Sequence, residues 1–389
     1  YPISIIFRVK LLKINNKYIM SQIYYPDREN WVRKDPQSLQ INNNLLLKAI
    51  EYSKENENKL SIENMQMFTR TASDTKEPHD EVLGPVKERG DLTGLIIKNG
   101  YIVAEWGDPE RVDMTFSVTK TFLSTTVGLA YDDGLIPDLN EQVHKFMDGE
   151  HFEDSHNQLI TWDHLLRQTS EWKGNLWSKP DWADRPPSNI PFDKLDSQKY
   201  SDPGTKYKYN DVRVNLLALL AANVWKDSLP NILKSRVMDP IGASETWKWH
   251  GYTNSWIDIN NKKIQSVSGG GHWGGGMFIN AMDQARFGYL FLRKGIWDNN
   301  VIISKDWINK ASSPGELNHS YGFMNWFLNS NLEGTEKQIT NAPKNAVYFS
   351  GLGSNIIYID WENDLVVVVR WIKSDALPGF IDLILKAIN

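Results

Sequence analysis

The distribution of apolar and polar positions separates the two ends of the 389-residue chain from its centre. Four runs rich in β-branched and aromatic residues read as strands: 93–98, 101–106, 355–360 and 365–371. The first two are joined by Asn99-Gly100, the dipeptide most typical of a tight β-hairpin. The last two are followed by an apolar run over 378–388 that predicts a closing helix.

The centre of the chain has mostly helical periodicity, interrupted by loops rich in Pro, Gly and Trp. Its clearest helical segments are 162–168, 212–224, 229–237 and 281–292. Strands at both ends with helices between them predict an α+β fold. In that fold, one antiparallel sheet is assembled from the N- and C-terminal segments, and the helical insertion forms a second lobe.

This pattern also predicts the domain organisation. We expect residues 1–90 to form an N-terminal extension with a first short helix over 45–52. Residues 91–388 would form one domain. Its sheet lobe comprises 91–116 and 346–388, and its helical lobe comprises 117–345.

Composition excludes several classes of protein. With 41% hydrophobic and 23% charged residues the chain is typical of a globular protein, and its net charge of −5 gives no reason to expect nucleic acid as a partner. The absence of cysteine removes disulfides, thiolate metal sites and cysteine nucleophiles. No apolar run reaches the ~18–20 residues that span a bilayer, so stable membrane insertion is not expected. We expect a cytoplasmic protein, or a periplasmic or secreted one if the nineteen residues before Met20 are a truncated leader.

The pattern Ser-x-x-Lys, which can place a nucleophile beside a proton acceptor, occurs three times. Ser73-Lys76 lies in a polar run and Ser170-Lys173 precedes a glycine turn, whereas Ser117-Lys120 opens an apolar helix. Residues three apart on a helix share a face, so Ser117 and Lys120 would point into the same space. Lysine can take the serine proton if burial and a nearby cation favour its neutral form. A chance spacing on a core helix is the alternative.

Two further stretches carry candidate chemistry. Tyr209 follows a Pro-Gly turn and stands before a buried helix, where its phenol could exchange a proton with a serine; simple packing of the ring is the alternative. Gly351 and Gly353 precede the strand at 355, and such glycines permit close backbone approach. A second oxyanion N–H could then lie near Leu352, although a plain strand-entry turn fits the residues equally well.

Other motifs do not support rival chemistries. The segment 269–274 fits G-x-G-x-x-G, but no convincing strand of a βαβ unit precedes it and no acidic residue follows at the required distance. We therefore interpret it as a flexible rim loop from which His272 and Trp273 contact substrate. The eight histidines show no metal-binding spacing. Gly-x-Ser-x-Gly is absent, which argues against an α/β-hydrolase. We expect neither a metal nor a cofactor.

Taken in order, the segments 117–120, 209–211 and 348–354 resemble the three motifs of the serine β-lactamase-related superfamily, in its class C branch. That branch includes penicillin-binding carboxypeptidases, esterases with a β-lactamase fold and 6-aminohexanoate-dimer hydrolase. The similarity spans roughly residues 90–388 and includes the segments 160–170 and 274–288.

The resemblance implies a β-lactamase/transpeptidase-like fold and assigns roles to individual residues. Ser117 would be the acylated nucleophile, with Lys120 and Tyr209 as its proton-handling pair; which of these two is the general base stays open. The N–H groups of Ser117 and of a residue near Leu352 would hold the oxyanion. Substrate-binding residues would be Asp211, Gly351, Leu352 and Trp273.

Two departures from the family pattern bear on the substrate. Asp211 stands where the second motif usually has Asn, and Phe349 stands where the third usually has Lys or His. A cation at the latter place helps bind a substrate carboxylate. Its absence favours small-molecule esters or linear amides as substrates. A β-lactamase, a D-alanyl peptidase and a non-catalytic penicillin-binding-like relative are the alternatives, and the oligomeric state is open.

Overall fold

The computed structural model describes residues 23–60, 79–147, 149–187, 189–330 and 341–389. The strands in chain order are β1 (Thr93–Lys98), β2 (Tyr101–Trp106), β3 (Asp113–Met114), β4 (Asn175–Leu176), β5 (Lys179–Pro180), β6 (Lys248–Ile259), β7 (Lys262–Val267), β8 (Gly276–Ile279), β9 (Ile296–Trp297), β10 (Asn300–Val301), β11 (Trp326–Phe327), β12 (Val347–Gly351), β13 (Asn355–Asp360) and β14 (Leu365–Arg370). The helices are α1 (Asn43–Glu55), α2 (Thr119–Asp132), α3 (Trp162–Leu166), α4 (Asp211–Trp225), α5 (Leu229–Leu233), α6 (Ala281–Leu292), α7 (Lys305–Ala311) and α8 (Leu377–Ile388).

The main sheet unites both ends of the chain, as the sequence predicts. Its strand order is β11-β12-β13-β14-β1-β2, and every neighbouring pair is antiparallel. Within the β1–β2 hairpin, Asn99 and Gly100 have φ of 54° and 88°, the left-handed conformations that a tight hairpin turn requires. The α+β prediction is therefore confirmed.

Helices cover both faces of this sheet, so its central strands are apolar without alternation. All six residues of β14 are buried. Helix α6 packs on one face, and α1 and α8 pack on the other. The first helix is longer than the 45–52 that the sequence predicts. It lies against the closing helix, with Tyr52 next to Gly379.

Three of the four strands of a second antiparallel sheet lie within the region predicted to be helical. Its order is β3-β8-β6-β7, and β6 and β7 form a long hairpin. The turn of that hairpin is Asn260-Asn261, with φ of 51° and 62°. Asparagine tolerates this conformation almost as glycine does, so the signal is present in the sequence but weaker than Asn-Gly.

An aromatic cluster connects the helical lobe to the main sheet. Phe122 of α2 stacks on Phe287 of α6 with ring centroids 3.9 Å apart, and Phe291 lies 5.0 Å from Phe349 of β12. These rings fix α2 relative to β12, the two elements whose ends meet at the candidate site. Across the described parts of the chain, every helix is too short or too polar to cross a bilayer.

Candidate active site

Ser117 lies in a 3₁₀ turn, Phe116–Val118, directly before α2. The preceding residue, Phe116, has φ of 50°, a conformation that costs a non-glycine residue about 1–2 kcal/mol. Its ring is buried against Trp371, which holds the strained turn in place. Ser117 is partly exposed, and its Oγ accepts a hydrogen bond of 2.9 Å from Lys120 Nζ. The spacing therefore places the two side chains together, as predicted.

Lys120 is paired with a carboxylate. Its Nζ lies 2.7 Å from Asp211 Oδ1, and the exposed fractions of the two side chains are 1% and 2%. Burial by itself would lower the pKa of Lys120, but Asp211 and then Tyr209 outweigh burial and raise that pKa. The condition under which this lysine would take the serine proton is therefore not met, because an anion is its closest charged neighbour. Lys120 is an ammonium ion at neutral pH.

Asp211 also keeps its charge. Burial would raise the pKa of Asp211, yet Lys120, His272 and Arg185 together lower it to about 2. The side chain is enclosed and contacts the site through Lys120, so it has no surface to offer a substrate directly. The substrate-binding role that the resemblance implied for Asp211 does not fit this position.

The residues that surround Asp211 explain how it is held there. Asn210 is the N-cap of α4: its side chain accepts a hydrogen bond of 3.0 Å from the N–H of Arg213. The N–H of Asp211 donates to Asp184 Oδ2 at 2.6 Å. Asn210 is thus structural, and the start of α4 directs Asp211 toward Lys120.

Tyr209 lies at the opening of the site. Its ring centroid is 4.7 Å from Lys120 Nζ and 4.8 Å from the guanidinium carbon of Arg185, and the ring stacks on Trp326. Tyr207, two residues earlier, packs its ring on Tyr321. The structure therefore brings the Tyr209 ring next to Lys120, while the Tyr207 ring packs on Tyr321.

The glycine stretch approaches the nucleophile from β12. A Cβ on Gly351 would overlap the carbonyl of Thr115 and come within 3.2 Å of the Ser117 nitrogen, so only glycine fits. Asn355 secures the following turn, because its Nδ2 donates to the Leu352 carbonyl at 2.7 Å. The backbone of Gly351 therefore lies against the backbone nitrogen of Ser117, and the next residue, Leu352, is 40% exposed.

Phe349 does not line this space. Its ring is fully buried between Phe287 and Phe291. Phe349, which stands where the family usually has Lys or His, therefore belongs to the core. As a result, β12 carries no cation at this position.

The segment 269–274 is a packed wall of the site, and its interpretation as a flexible rim loop is wrong. A Cβ on Gly270 would overlap Asp211 Oδ1 and Lys120 Nζ, so this loop closes directly over the ion pair. The strand that precedes it is β7, which pairs antiparallel with β6. The chain then continues into β8 of the same sheet and not into a helix, so no dinucleotide-binding unit results. Trp273 is 1% exposed, and its ring packs against the ring of His272. Trp273 therefore does not lie at the surface that a substrate contacts, contrary to the expectation.

Sequence reasoning missed Asp184 and Arg185. They follow the short turn Asp181–Ala183 and have no recognisable motif beyond two prolines after them. Arg185 Nη1 bonds both oxygens of Asp184, at 2.5 and 2.6 Å, and lies 3.5 Å from Asp211 Oδ2. His272 Nδ1 lies 3.5 Å from Asp184 Oδ1, and burial lowers its pKa, which keeps the ring neutral.

Asp184, Asp211 and His272 could in principle bind a metal, since each offers one ligand atom and these atoms lie within 4.8 Å of one another. The charges argue against it: Lys120 and Arg185 already neutralise both carboxylates. The donor set suits a closed ion-pair network better than a cation site.

The two other Ser-x-x-Lys segments differ from the first. Ser170 is buried, while Lys173 is on the surface, where it pairs with Asp154 at 2.7 Å. Ser73 and Lys76 lie outside the described residues.

Comparison with known proteins extends this description. Residues 95–376 match the profile of a family described as Beta-lactamase. The protein flp of Staphylococcus aureus strain N315 is 23% identical over 221 residues, which are 52% of this chain and 42% of that protein. The chain thus spans less than half the length of the curated relatives it matches.

Solved structures share the fold. A beta-lactamase from Mycobacterium bovis superposes with a TM-score of 0.51 at 18% identity, covering 76% of this chain and 94% of the other. A beta-lactamase/D-alanine carboxypeptidase from Pseudomonas syringae superposes with a TM-score of 0.52 at 13% identity, covering 76% of this chain and 93% of the other.

Proposed function

Because the chain belongs to the beta-lactamase family, whose fold it shares with serine hydrolases, we propose that it cleaves an ester or linear amide bond through an acyl-enzyme on Ser117. The observation that carries this proposal is the 2.9 Å hydrogen bond between Lys120 Nζ and Ser117 Oγ, next to the backbone of Gly351. A nucleophile and a neighbouring cation are parts that acyl transfer needs, and we assign the oxyanion-binding N–H groups to Ser117 and a residue near Leu352.

The ion pair favours Tyr209 as the proton acceptor. Lys120 is held as an ammonium ion by Asp211, and an ammonium ion donates protons but accepts none. Tyr209 is the remaining titratable side chain beside Lys120 with access to the cleft. In its deprotonated form it would take the Ser117 proton as the serine attacks the carbonyl, and it would then return that proton to the leaving group and become the phenolate again. Water would then attack the acyl-enzyme and release the acid.

Covalent labelling tests the nucleophile. A fluorophosphonate should react with Ser117 in the wild type, as mass spectrometry of the labelled peptide would reveal. The Ser170→Ala variant should label normally and the Ser117→Ala variant should not. Labelling elsewhere, or of no serine at all, would contradict the proposal and favour a non-catalytic penicillin-binding-like relative.

The substrate class is tested by comparing two acyl donors. With Phe349 buried in the core, β12 offers no cation for the carboxylate of a penicillin. We therefore expect faster turnover of short-chain p-nitrophenyl esters or small linear amides than of penicillins under the same conditions. A penicillinase rate above the esterase rate would favour a β-lactamase or D-alanyl peptidase.

A further inference from the structure

We propose that Arg185 is a specificity-determining residue that binds a carboxylate of the substrate beside Tyr209. This rests on the proposed function, because it assigns the substrate of that function to esters or amides that carry an acid group. The inference depends on four features of Arg185: its exposure, its free hydrogen-bonding edge, its backbone and its position in the site.

Arg185 is the cation that a substrate can reach. Its side chain is 51% exposed, whereas that of Lys120 is 1% exposed and enclosed by the site. The guanidinium lies over the ring of Tyr209, 4.8 Å from the ring centroid. A group bound to Arg185 would therefore lie next to the proton-handling side chain.

The guanidinium is anchored through one nitrogen. Nη1 makes the contacts with Asp184 and Asp211 described above. The planar group has five N–H donors, and Nε and Nη2 form a second fork that matches a carboxylate. This arrangement holds Arg185 in place and, among the residues that the structure describes, leaves its bidentate edge for a ligand.

The backbone supports the same conclusion. Arg185 has φ of 54°, a left-handed conformation that arginine adopts only at an energetic cost. It lies between the buried Asp184 and two consecutive prolines, Pro186 and Pro187, which restrict the chain. The loop thus keeps the side chain in one position before any ligand arrives, which lowers the entropy cost of binding.

Local charge balance determines what kind of recognition is expected. Asp184 and Asp211 offset the charges of Arg185 and Lys120, so the site has little net charge with which to attract an anion over a distance. Recognition then depends on short-range paired hydrogen bonds, which require the shape of the guanidinium as well as its charge. In this proposal Arg185, next to Asp184 in the chain, binds the acid group. The acid group therefore takes a different position relative to the scissile bond than a carboxylate bound by a cation at position 349 of β12 would take.

The test uses two esters with the same acyl group. 3-Acetoxybenzoate and 3-acetoxybenzamide both acetylate Ser117, and their leaving groups differ by a carboxylate against a carboxamide. The measured quantity is kcat/KM for 3-acetoxybenzoate divided by kcat/KM for 3-acetoxybenzamide. The difference in intrinsic reactivity between the two esters cancels when this ratio is compared between variants. Arg185→Gln should lower this ratio about ten- to a hundredfold. Arg185→Lys should restore little of it, because lysine lacks the planar fork.

Arg236 provides the matched control. It too pairs with an aspartate, Asp133, and lies over an aromatic ring, that of Trp225, but on another part of the surface. Arg236→Gln should leave the ratio unchanged. If Arg185→Gln slows both esters equally, Arg185 only supports Asp184 and Asp211, and the proposal is overturned.

A binding measurement separates this proposal from the proposed function. With Ser117→Ala protein, 3-acetamidobenzoate should bind at least about tenfold more tightly than 3-acetamidobenzamide by calorimetry, and adding Arg185→Gln should abolish that preference. If the acid binds more tightly than the amide in an Arg185-dependent way, but fluorophosphonate does not label Ser117 in the wild type, the subsite would be supported and the hydrolase proposal contradicted. Labelling of Ser117 without any such preference would overturn the subsite alone.

Discussion

Two Ser-x-x-Lys segments of the same chain have opposite environments. At Ser117-Lys120 the two side chains touch, and the lysine is enclosed with a carboxylate. At Ser170-Lys173 the serine is buried, and the lysine is 38% exposed and pairs with Asp154 at the surface. Identical spacing therefore produces a candidate catalytic pair in one place and two unrelated residues in the other.

Backbone conformation accounts for the difference. After Ser117 the chain enters α2, where residues three apart share a face. Around Ser170, Gln168 and Glu171 have φ of 61° and 46°, so the chain turns instead of forming a helix. A short motif thus predicts a site only when the local structure it needs is also encoded.

The largest expected effect tests this comparison directly. Ser117→Ala should reduce ester turnover by about 10⁴-fold or more, because the covalent route is lost. Ser170→Ala should stay near the wild-type rate, since its hydroxyl has no role in acyl transfer, and Ser73→Ala is expected to behave likewise. The measurement is kcat on one p-nitrophenyl ester, with circular dichroism to verify folding. An equal loss in a folded Ser170→Ala protein would show that the wrong serine was chosen.

The second prediction concerns the two tyrosines of one segment. Tyr209→Phe keeps the ring that contacts Lys120 and Arg185 but removes the hydroxyl. Turnover should fall about 10²–10⁴-fold, the range for a general acid–base group. Tyr207→Phe should cost little activity, because the ring that lies against Lys120 is that of Tyr209, while the ring of Tyr207 packs on Tyr321. Reversal of the two effects would mean that the second motif is displaced by two residues.

The third prediction concerns the ion pair that distinguishes Lys120 from Lys173. Asp211→Asn should lower kcat/KM about ten- to a hundredfold, the range for losing one charge-assisted hydrogen bond. Without the carboxylate, burial would lower the pKa of Lys120. The ammonium would then be lost at a lower pH, and the alkaline limb of the pH–rate profile should move down by about one unit or more.

The same pair makes a contribution to stability with a defined sign. The pKa of Asp211 is depressed to about 2, so the pair stabilises the fold at neutral pH and loses that contribution as the pH falls from about 4 toward 2.

An unchanged alkaline limb of the pH–rate profile in Asp211→Asn would indicate that Asp211 does not control the protonation of Lys120.

The smallest expected effect is at the other lysine. Lys173→Gln removes an exposed pair with Asp154, which is worth about 0–1 kcal/mol. We expect turnover to be unchanged and the midpoint of thermal unfolding to move by no more than a few degrees. A large loss of activity would make Lys173 part of a functional site after all.

Much of the site could be predicted because its parts are local. Ser117 and Lys120 are one helical turn apart, and Tyr209 is defined by its place before a buried helix. Arg185 could not be found in this way, because its importance depends on the ring of Tyr209 and on two buried carboxylates that come from other segments. The ionisation state of Lys120 stayed open at the sequence level for the same reason: the carboxylate that controls it is 91 residues away in sequence.

The sequence by itself determined the strands at the two ends of the chain, the hairpin at Asn99-Gly100, the buried helices and the nucleophile segment. These follow from side-chain periodicity and from turn residues, which act over a few positions. Only the tertiary structure decided that Lys120 is a cation, that Phe349 belongs to the core and that Gly270 closes over the ion pair. Each of these depends on the distance between residues far apart in the chain, and charge, burial and close packing are properties of that distance.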